Sequence, residues 1–351
     1  EMLPKCPNLE VELLAPVESL WRKFLFTHLK VPRIARDWGA DLYFSVSENA
    51  PLWTPCPRIA AFRNPNIHTK LDQNWPRLTN LRLTMLRGIS RLSAAMCQRV
   101  LFVSHDSSEW IGESLRVPRN KRCVIEHGID PENWKTEEVR PLHTLPYVLS
   151  VSSIYRYKNF VRLIEAYALM ADRNHDCPDL LIIGDDQDPE YSAKMAAARE
   201  NSGEFAENIH ILGEVSYSDI RDYYAAAEIF VFPSFLETFG HPLLEAMASG
   251  LPAVVADIPV FREVADNAVL YADPYSTAAL AEAMEQVLFK PVLAETLSRR
   301  GRQRVTHFSM ERTVARLLDL FDEVCAESQT NSEHSVVSTG PSPGELHDRT
   351  F

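Results

Sequence analysis

The stretch IFVFPSFLETFGHPLLEAMASGLPAVVADI, residues 229–258, decides the fold. An apolar run that stops at Pro233 reads as a buried strand. Pro242 suits the first turn of a helix, where its missing N–H costs nothing and its fixed φ helps. Gly250 and Pro252 end that helix, and AVVA at 253–256 supplies the next strand. Strand, helix, strand at this spacing is a parallel βα unit. The helix start near Gly240 then points unsatisfied N–H groups and a positive dipole end into the crevice beyond the strand, which makes an anion site without a glycine-rich loop. Neither G-x-G-x-x-G nor G-x-x-x-x-G-K-[ST] occurs in the chain.

Outward from this unit the same rhythm continues. Strands are expected at 11–14, 41–45, 58–62, 99–103 and 122–126, with helical patterns near 18–37, 78–95 and 106–115. After a polar, Pro-containing link at about 136–146, strands are expected at 147–151, 180–183, 210–212, 229–232, 253–256 and 269–271, separated by helices. Ser216 with Asp219 reads as a helix N-cap, and Ser309 caps a last helix to about residue 325. The expected architecture is α/β: two facing Rossmann-like domains with parallel sheets, residues 1–143 and 144–327, the second including the C-terminal helix. Residues 328–351 carry no apolar period and are expected to be disordered.

The 351 residues carry 36 Lys+Arg against 48 Asp+Glu, a formal charge of -12, which leaves no electrostatic footprint for nucleic acid. A phosphate-bearing ligand therefore needs a local basic site. Six scattered cysteines without a C-x-x-C pair fit a reducing cytosol rather than a disulfide framework or a zinc site. No apolar stretch reaches the 18 or more residues of a membrane span. Localisation is expected to be cytoplasmic, with room for the inner face of the membrane.

Three clusters on the strand-end rim carry candidate chemistry. Glu237, in the loop before the helix, and Glu245, on it, are separated by seven residues and can accept hydrogen bonds from hydroxyls flanking a bound anion. Taken alone, such a pair reads as a solvated loop carboxylate and an exposed helix position; the small residues Ala246, Met247 and Ala248 beside Glu245 read instead as a buried face. Arg156 and Lys158, between strand and helix, place cations on the same rim. Gly184 and Asp185 close the next strand there, where an ordinary turn is an equal reading.

At these residues the chain resembles the retaining glycosyltransferases of family 4, with GT-B architecture. ETFGHPLLEAMASGLPAVVAD (237–257) is similar to their Glu-seven-residues-Glu motif and SVSSIYRYKNFVRLIEAY (150–167) to their lysine-bearing phosphate loop; LLIIGDD, IHILGEVSYSDIRDYYAAAEIFVFPS and HGID at 127–130 add to the likeness. The resemblance implies transfer of a sugar from a nucleotide-diphosphate sugar to a hydroxyl acceptor. Lys158 would contact the donor diphosphate, Glu245 the donor ribose and Glu237 the transferred sugar. Thr238, the Phe239 and Gly240 amides, Ser153 and Gly184 would line the donor, with Val215 near the nucleobase. Arg156 would replace the arginine that the family often carries where this chain has Ser152-Ser153. On the acceptor side the strand RIAAF runs into Arg63-Asn64, and His127 would face the interdomain cleft, ahead of His68 and His105.

Compared with the family, the first domain is expected to be truncated ahead of GADLYFS. No cofactor and no metal is expected, because Lys158, Arg156 and the helix dipole would neutralise the leaving diphosphate in a front-face substitution. Expected partners are the nucleotide-diphosphate sugar and a glycan or lipid-linked acceptor, with peripheral membrane association compatible and nucleic acid not. A non-catalytic nucleotide-sugar-binding subunit is the competing reading, and an NAD-dependent dehydrogenase ranks last for want of its fingerprint.

Overall fold

A computed structural model of the chain describes residues 10, 20–69, 77–135, 139–174 and 176–337. Its strands form two wholly parallel sheets. The first has the order β1-β2-β3-β4, from β1 (Tyr43–Ser45), β2 (Arg58–Ala61), β3 (Arg99–Phe102) and β4 (Arg122–Val124). The second has the order β10-β9-β8-β5-β6-β7, from β5 (Tyr147–Val151), β6 (Asp179–Ile183), β7 (Ile209–Gly213), β8 (Ile229–Phe232), β9 (Ala253–Ala256) and β10 (Leu270–Ala272). The expected strand at 11–14 lies outside the described residues.

Helices cover the sheets as the apolar periodicity requires. In the first unit these are α1 (Leu20–Leu25), α2 (Val31–Asp37), α3 (Pro65–His68), α4 (Arg77–Met96) and α5 (His105–Leu115), with one π turn, Phe26–Lys30, between α1 and α2. In the second they are α6 (Phe160–Arg173), α7 (Pro189–Asn201), α8 (Tyr217–Ala226), α9 (His241–Ser249), α10 (Pro259–Ala265), α11 (Thr277–Phe289) and α12 (Pro291–Val305). On α6, Phe160, Leu163, Ile164 and Tyr167 are all buried, the face expected from their spacing. Each face of the second sheet has its own core. Leu149, Leu181, Phe230 and Val255 pack toward α9 and α10, and Val148, Leu180, Ile182 and Val231 pack toward α6 and α11. Ser216 accepts from the Asp219 amide and caps α8.

The last helix, α13 (Met310–Val337), changes two expectations. It continues through residues 328–337, where the composition predicts disorder; residues 338–351 lie outside the described part. It also packs on the first sheet, not within the second domain. Leu320 and Val324 are buried with Ile59, Ala61, Leu101 and Ile125. The Thr313 hydroxyl donates to the Glu126 carbonyl at 2.9 Å, and Arg99 meets Glu323 at 2.7 Å. An apolar stripe on a helix shows that it needs a sheet and says nothing about which one. Crossing back is possible because the HGID loop meets the start of α13: the Ile129 amide donates to the Phe308 carbonyl at 2.8 Å, and a Cβ on Gly128 would come within 2.6 Å of Met310 Cα.

If α13 completes the first domain's core, Leu320→Ala should cost about 2–4 kcal/mol by urea denaturation, while Leu318→Ala on the exposed face should change stability by less than about 0.5 kcal/mol.

Candidate active site

In the second sheet the strand order turns outward in both directions from the adjacent pair β5 and β8, and the crevice beyond their carboxyl ends is where ligands bind in such sheets. The two loops leaving those strands are knitted together there. The Phe235 amide donates to the Tyr157 carbonyl at 3.0 Å and the Ser234 hydroxyl to the same oxygen at 3.1 Å. Asn159 sits at φ 65° and its side-chain amide donates to Pro233 at 3.1 Å and Pro274 at 2.8 Å. Asparagine tolerates the left-handed conformation better than most residues, so the turn that ends the loop and starts α6 is cheap here.

This frame carries Lys158 and Glu237. The ammonium donates to Glu237 Oε1 at 2.6 Å, and each side chain is only 10% exposed. Phe232 and Tyr157 present ring faces to the same ammonium at 5.3 and 5.2 Å. A buried ion pair is weak evidence for stability, because the desolvation of both charges offsets their attraction. Its value here is positional: the carboxylate fixes where a cation stands at the rim.

Gly240 precedes α9 at φ 98°, where a Cβ would come within 2.7 Å of the Phe261 ring, so glycine is required on both conformational and steric grounds. α9 thus begins at once after the loop that carries Glu237, and a helix start holds backbone amides available to an anion. Glu245 lies one turn along and accepts a hydrogen bond from the Tyr224 hydroxyl at 3.0 Å. Burial pushes its carboxyl up to about 7, the Tyr224 bond pulling the other way.

The other expected donor residues have partners within the chain. The Arg156 guanidinium grips Asp188 with Nε–Oδ2 at 2.8 Å and Nη2–Oδ1 at 3.1 Å, and Asp188 caps α7. The cation expected to replace the family arginine is thus engaged in holding the loop to α7. Gly184 has a packing reason to be glycine, since a Cβ there would lie 1.8 Å from the Ser152 carbonyl oxygen. The Ser153 hydroxyl bonds to Asp185 and is the main cause holding that carboxyl below its usual range. Val215 packs partly buried against the core beside β7.

The first domain supplies the facing wall. The Thr238 hydroxyl donates to the Arg63 carbonyl at 2.8 Å, and the Ser104 hydroxyl donates to the Thr238 carbonyl at 2.7 Å. Arg63 itself donates to the Val46 carbonyl at 2.6 Å, and the Asn64 side chain caps α3. His127 stands edge-on to Phe239 with ring centroids 5.3 Å apart and stacks on His241 at 5.7 Å. Burial first, then His241 and Arg63, lower its pKa to about 4, so the ring is neutral near pH 7. Residues that sequence reasoning missed join it here. Glu263 on α10 accepts from the His105 amide at 2.7 Å and the Asp106 amide at 2.9 Å, tying α5 to the second domain. Glu237 also lines an interdomain cleft of about 510 Å³ with His68, Arg87, Arg91 and Trp110. His68 is buried, neither ring nitrogen has a hydrogen-bond partner among the described residues, and burial lowers its pKa to about 4. Tyr224 had a helical-face signal on α8; the Glu263 bridge had none.

Comparison with known proteins fits this geometry. The profile described as "Glycosyl transferases group 1" matches residues 133–304, and that described as "Glycosyltransferase Family 4" matches residues 8–133. This chain belongs to the group 1 glycosyltransferases. The O-antigen chain mannosyltransferase of Salmonella typhimurium is 28% identical over 57% of this chain and 54% of its own length. A Campylobacter jejuni N,N'-diacetylbacillosaminyl-diphospho-undecaprenol alpha-1,3-N-acetylgalactosaminyltransferase is 26% identical over 72% of this chain and 67% of its own. The chain spans about half the length of the first curated relatives it matches. Among solved structures, the sucrose-phosphate synthase of Thermosynechococcus elongatus superposes with a TM-score of 0.70 at 20% identity, covering 90% of this chain and 81% of that one. Anabaena HepE in complex with UDP and glucose gives 0.69 at 19% identity, covering 84% and 80%. The fold of the group 1 glycosyltransferase is accordingly GT-B, two parallel-sheet α/β domains face to face.

Glu245 generates a pH dependence. Its folded pKa of about 7 lies above the ordinary 4.5, so the folded state binds the extra proton, and the stability of that neutral form is complete below about 4.5 and lost as pH rises through about 7. Glu245→Gln should therefore gain about 1–3 kcal/mol over the parent between pH 4.5 and 8, mostly below 7. Parallel stability curves for the two proteins would refute the burial argument. Gly184→Ala, by contrast, should lower the melting temperature at every pH, since the clash with Ser152 is steric.

Proposed function

We propose that this glycosyltransferase moves a sugar from a nucleotide-diphosphate sugar to a hydroxyl acceptor with retention at the anomeric carbon, in the synthesis of a glycan or cell-surface polysaccharide. The observation that carries the reading is the Lys158–Glu237 pair, 2.6 Å apart at the start of α9, in the crevice between β5 and β8. A diphosphate seated at the α9 amides meets Lys158, and the sugar that it carries reaches Glu237. Glu245 accepts from the ribose hydroxyls.

In this mechanism the bond between the anomeric carbon and the leaving diphosphate oxygen lengthens while the acceptor oxygen approaches from the same face. The leaving oxygen takes the acceptor's proton. Charge grows on the diphosphate, and the preorganised ammonium and helix dipole stabilise it more in the transition state than in the ground state. Arg156 contributes indirectly, through its hold on Asp188.

The acceptor belongs to the cleft between the domains, opposite Glu237, with His68, Arg87 and Arg91 on its far wall. A lipid-linked acceptor agrees with the name of the Campylobacter relative. It also agrees with an exposed apolar and basic surface in the first domain, where Leu25 is 50%, Leu29 56% and Trp38 55% exposed beside Lys30 and Arg33. No described helix is long and apolar enough to cross a membrane; the apolar and basic patch itself suits a contact with a membrane surface.

A panel of nucleotide sugars screened by thermal shift identifies the donor, which at 100 times its Kd adds roughly 2.7 kcal/mol. With that donor, Lys158→Ala should lower kcat/KM by about 100-fold or more, its fold checked by circular dichroism because Glu237 loses its partner. Unchanged turnover in a folded variant refutes the role, and donor binding without turnover in the parent chain favours a binding subunit instead.

A further inference from the structure

At the opposite end of the second sheet from the active site, three side chains from separate parts of the chain converge. Asp179 opens β6, His210 lies on β7, and His143 lies in the segment that joins the two domains just before β5. Asp179 Oδ2 is 2.8 Å from His143 Nε2 and 3.1 Å from His210 Nε2, and the three donor atoms lie within 4.8 Å of one another. Among the described residues this is the only group of three or more His, Cys, Asp or Glu side chains arranged so.

We propose that His143, Asp179 and His210 form a binding site for a divalent first-row transition-metal ion, of which Zn²⁺ is the most available, outside the sugar-transfer site. Two imidazoles and one carboxylate are a ligand set such ions accept, with open positions left for water. Bonds of about 2.0–2.2 Å put neighbouring ligand atoms about 2.9 Å apart at a right angle and about 3.4 Å apart at the tetrahedral angle. The 2.8 and 3.1 Å separations lie close to the first value; the two imidazole nitrogens lie within 4.8 Å of each other, with ring centroids 5.1 Å apart, so an ion entering between them draws the rings to its own spacing. The carboxylate is already oriented: Asn208 donates to the other oxygen, Oδ1, at 2.9 Å, which leaves Oδ2 turned toward both rings. That outer hydrogen bond is the kind that fixes a ligand's aim. His143 is braced by Tyr147, edge-on at 5.6 Å. Asp179 is buried, whereas the His210 side chain is 32% exposed, so the site is built from inside and open from outside.

The location gives the ion a consequence. The linker between the domains is held to the second domain by Arg140, which pairs with Asp219 and Asp222 on α8, and by His143, which meets Asp179 on β6. An ion shared by His143, Asp179 and His210 converts the second attachment into a coordinate bond and fastens the segment that joins the domains. Binding to the folded chain alone also stabilises it by mass action.

The test uses the full chain, treated with chelator and then titrated with Co²⁺ as a spectroscopic probe and with Zn²⁺ by calorimetry. The expected result is one equivalent, with visible Co²⁺ absorption, and a rise in melting temperature of at least about 3 °C in saturating Zn²⁺. His210→Ala and the His143→Ala/His210→Ala pair should weaken binding by 10-fold or more and abolish the melting shift, with metal-free melting temperatures near that of the parent. Asp179→Asn, whose side chain is buried, is a third variant, and the proposal does not depend on its folding. Less than one equivalent bound by the parent, or equal affinity in the double histidine variant, overturns the site and reassigns the cluster to a hydrogen-bonded brace; neither result bears on donor binding.

Discussion

The loop after β5 and the loop after β8 have to be read as one structure, because the tie between them sets everything at the crevice. Tyr157 accepts from both the Phe235 amide and the Ser234 hydroxyl, Asn159 reaches Pro233 and Pro274, and Lys158 is thereby delivered to Glu237. These bonds exist because β5 and β8 are neighbours in the sheet while nearly eighty residues apart in the chain. A parallel sheet that winds outward from its centre must leave such a gap between adjacent strand ends, and here the chain fills it with one buried cation and one buried carboxylate.

The two domains meet through the same loop. Thr238 sits one residue after Glu237, and both its hydroxyl and its carbonyl are used by the first domain, at Arg63 and Ser104. The position of the carboxylate that pairs with Lys158 is thus coupled to the facing wall. Glu263 on the second domain caps the start of α5 on the first, and α13 returns across the boundary to finish the first domain's core. The contacts between the domains are polar at the cleft, and the crossover helix packs through apolar side chains.

Most of the fold was legible in the sequence. Strands β5, β8 and β9 fell at their expected bounds, since short apolar runs between helical periods admit few other readings. The caps at Ser216 and Ser309 were readable for a local reason, a side-chain oxygen three residues before an orphan amide. The destination of α13 was not, because amphipathicity reports burial without naming the partner. In the candidate site, Lys158, Glu237 and Gly240 were identifiable from the ends of elements. Position between a strand and a helix places Arg156 on the rim with Lys158, but it does not show that the three-residue turn sends the two side chains to different partners, Lys158 to Glu237 and Arg156 to Asp188. Gly184 was assigned to a ligand, while its smallness answers to the backbone of Ser152.

The amino-acid sequence by itself determined two parallel α/β domains, the helix start that opens at Gly240 and the family to which the chain belongs. The motifs behind them are each contained within about thirty consecutive positions, the range over which strand and helix periods and caps act, even where several motifs are needed together. Only the tertiary structure decided which charges meet: Lys158 with Glu237, Arg156 with Asp188, Glu263 with the start of α5, and His143 and His210 around Asp179. Those partners lie 31 to 158 positions apart, and the winding order of the sheets and the packing of one domain on the other bring them together.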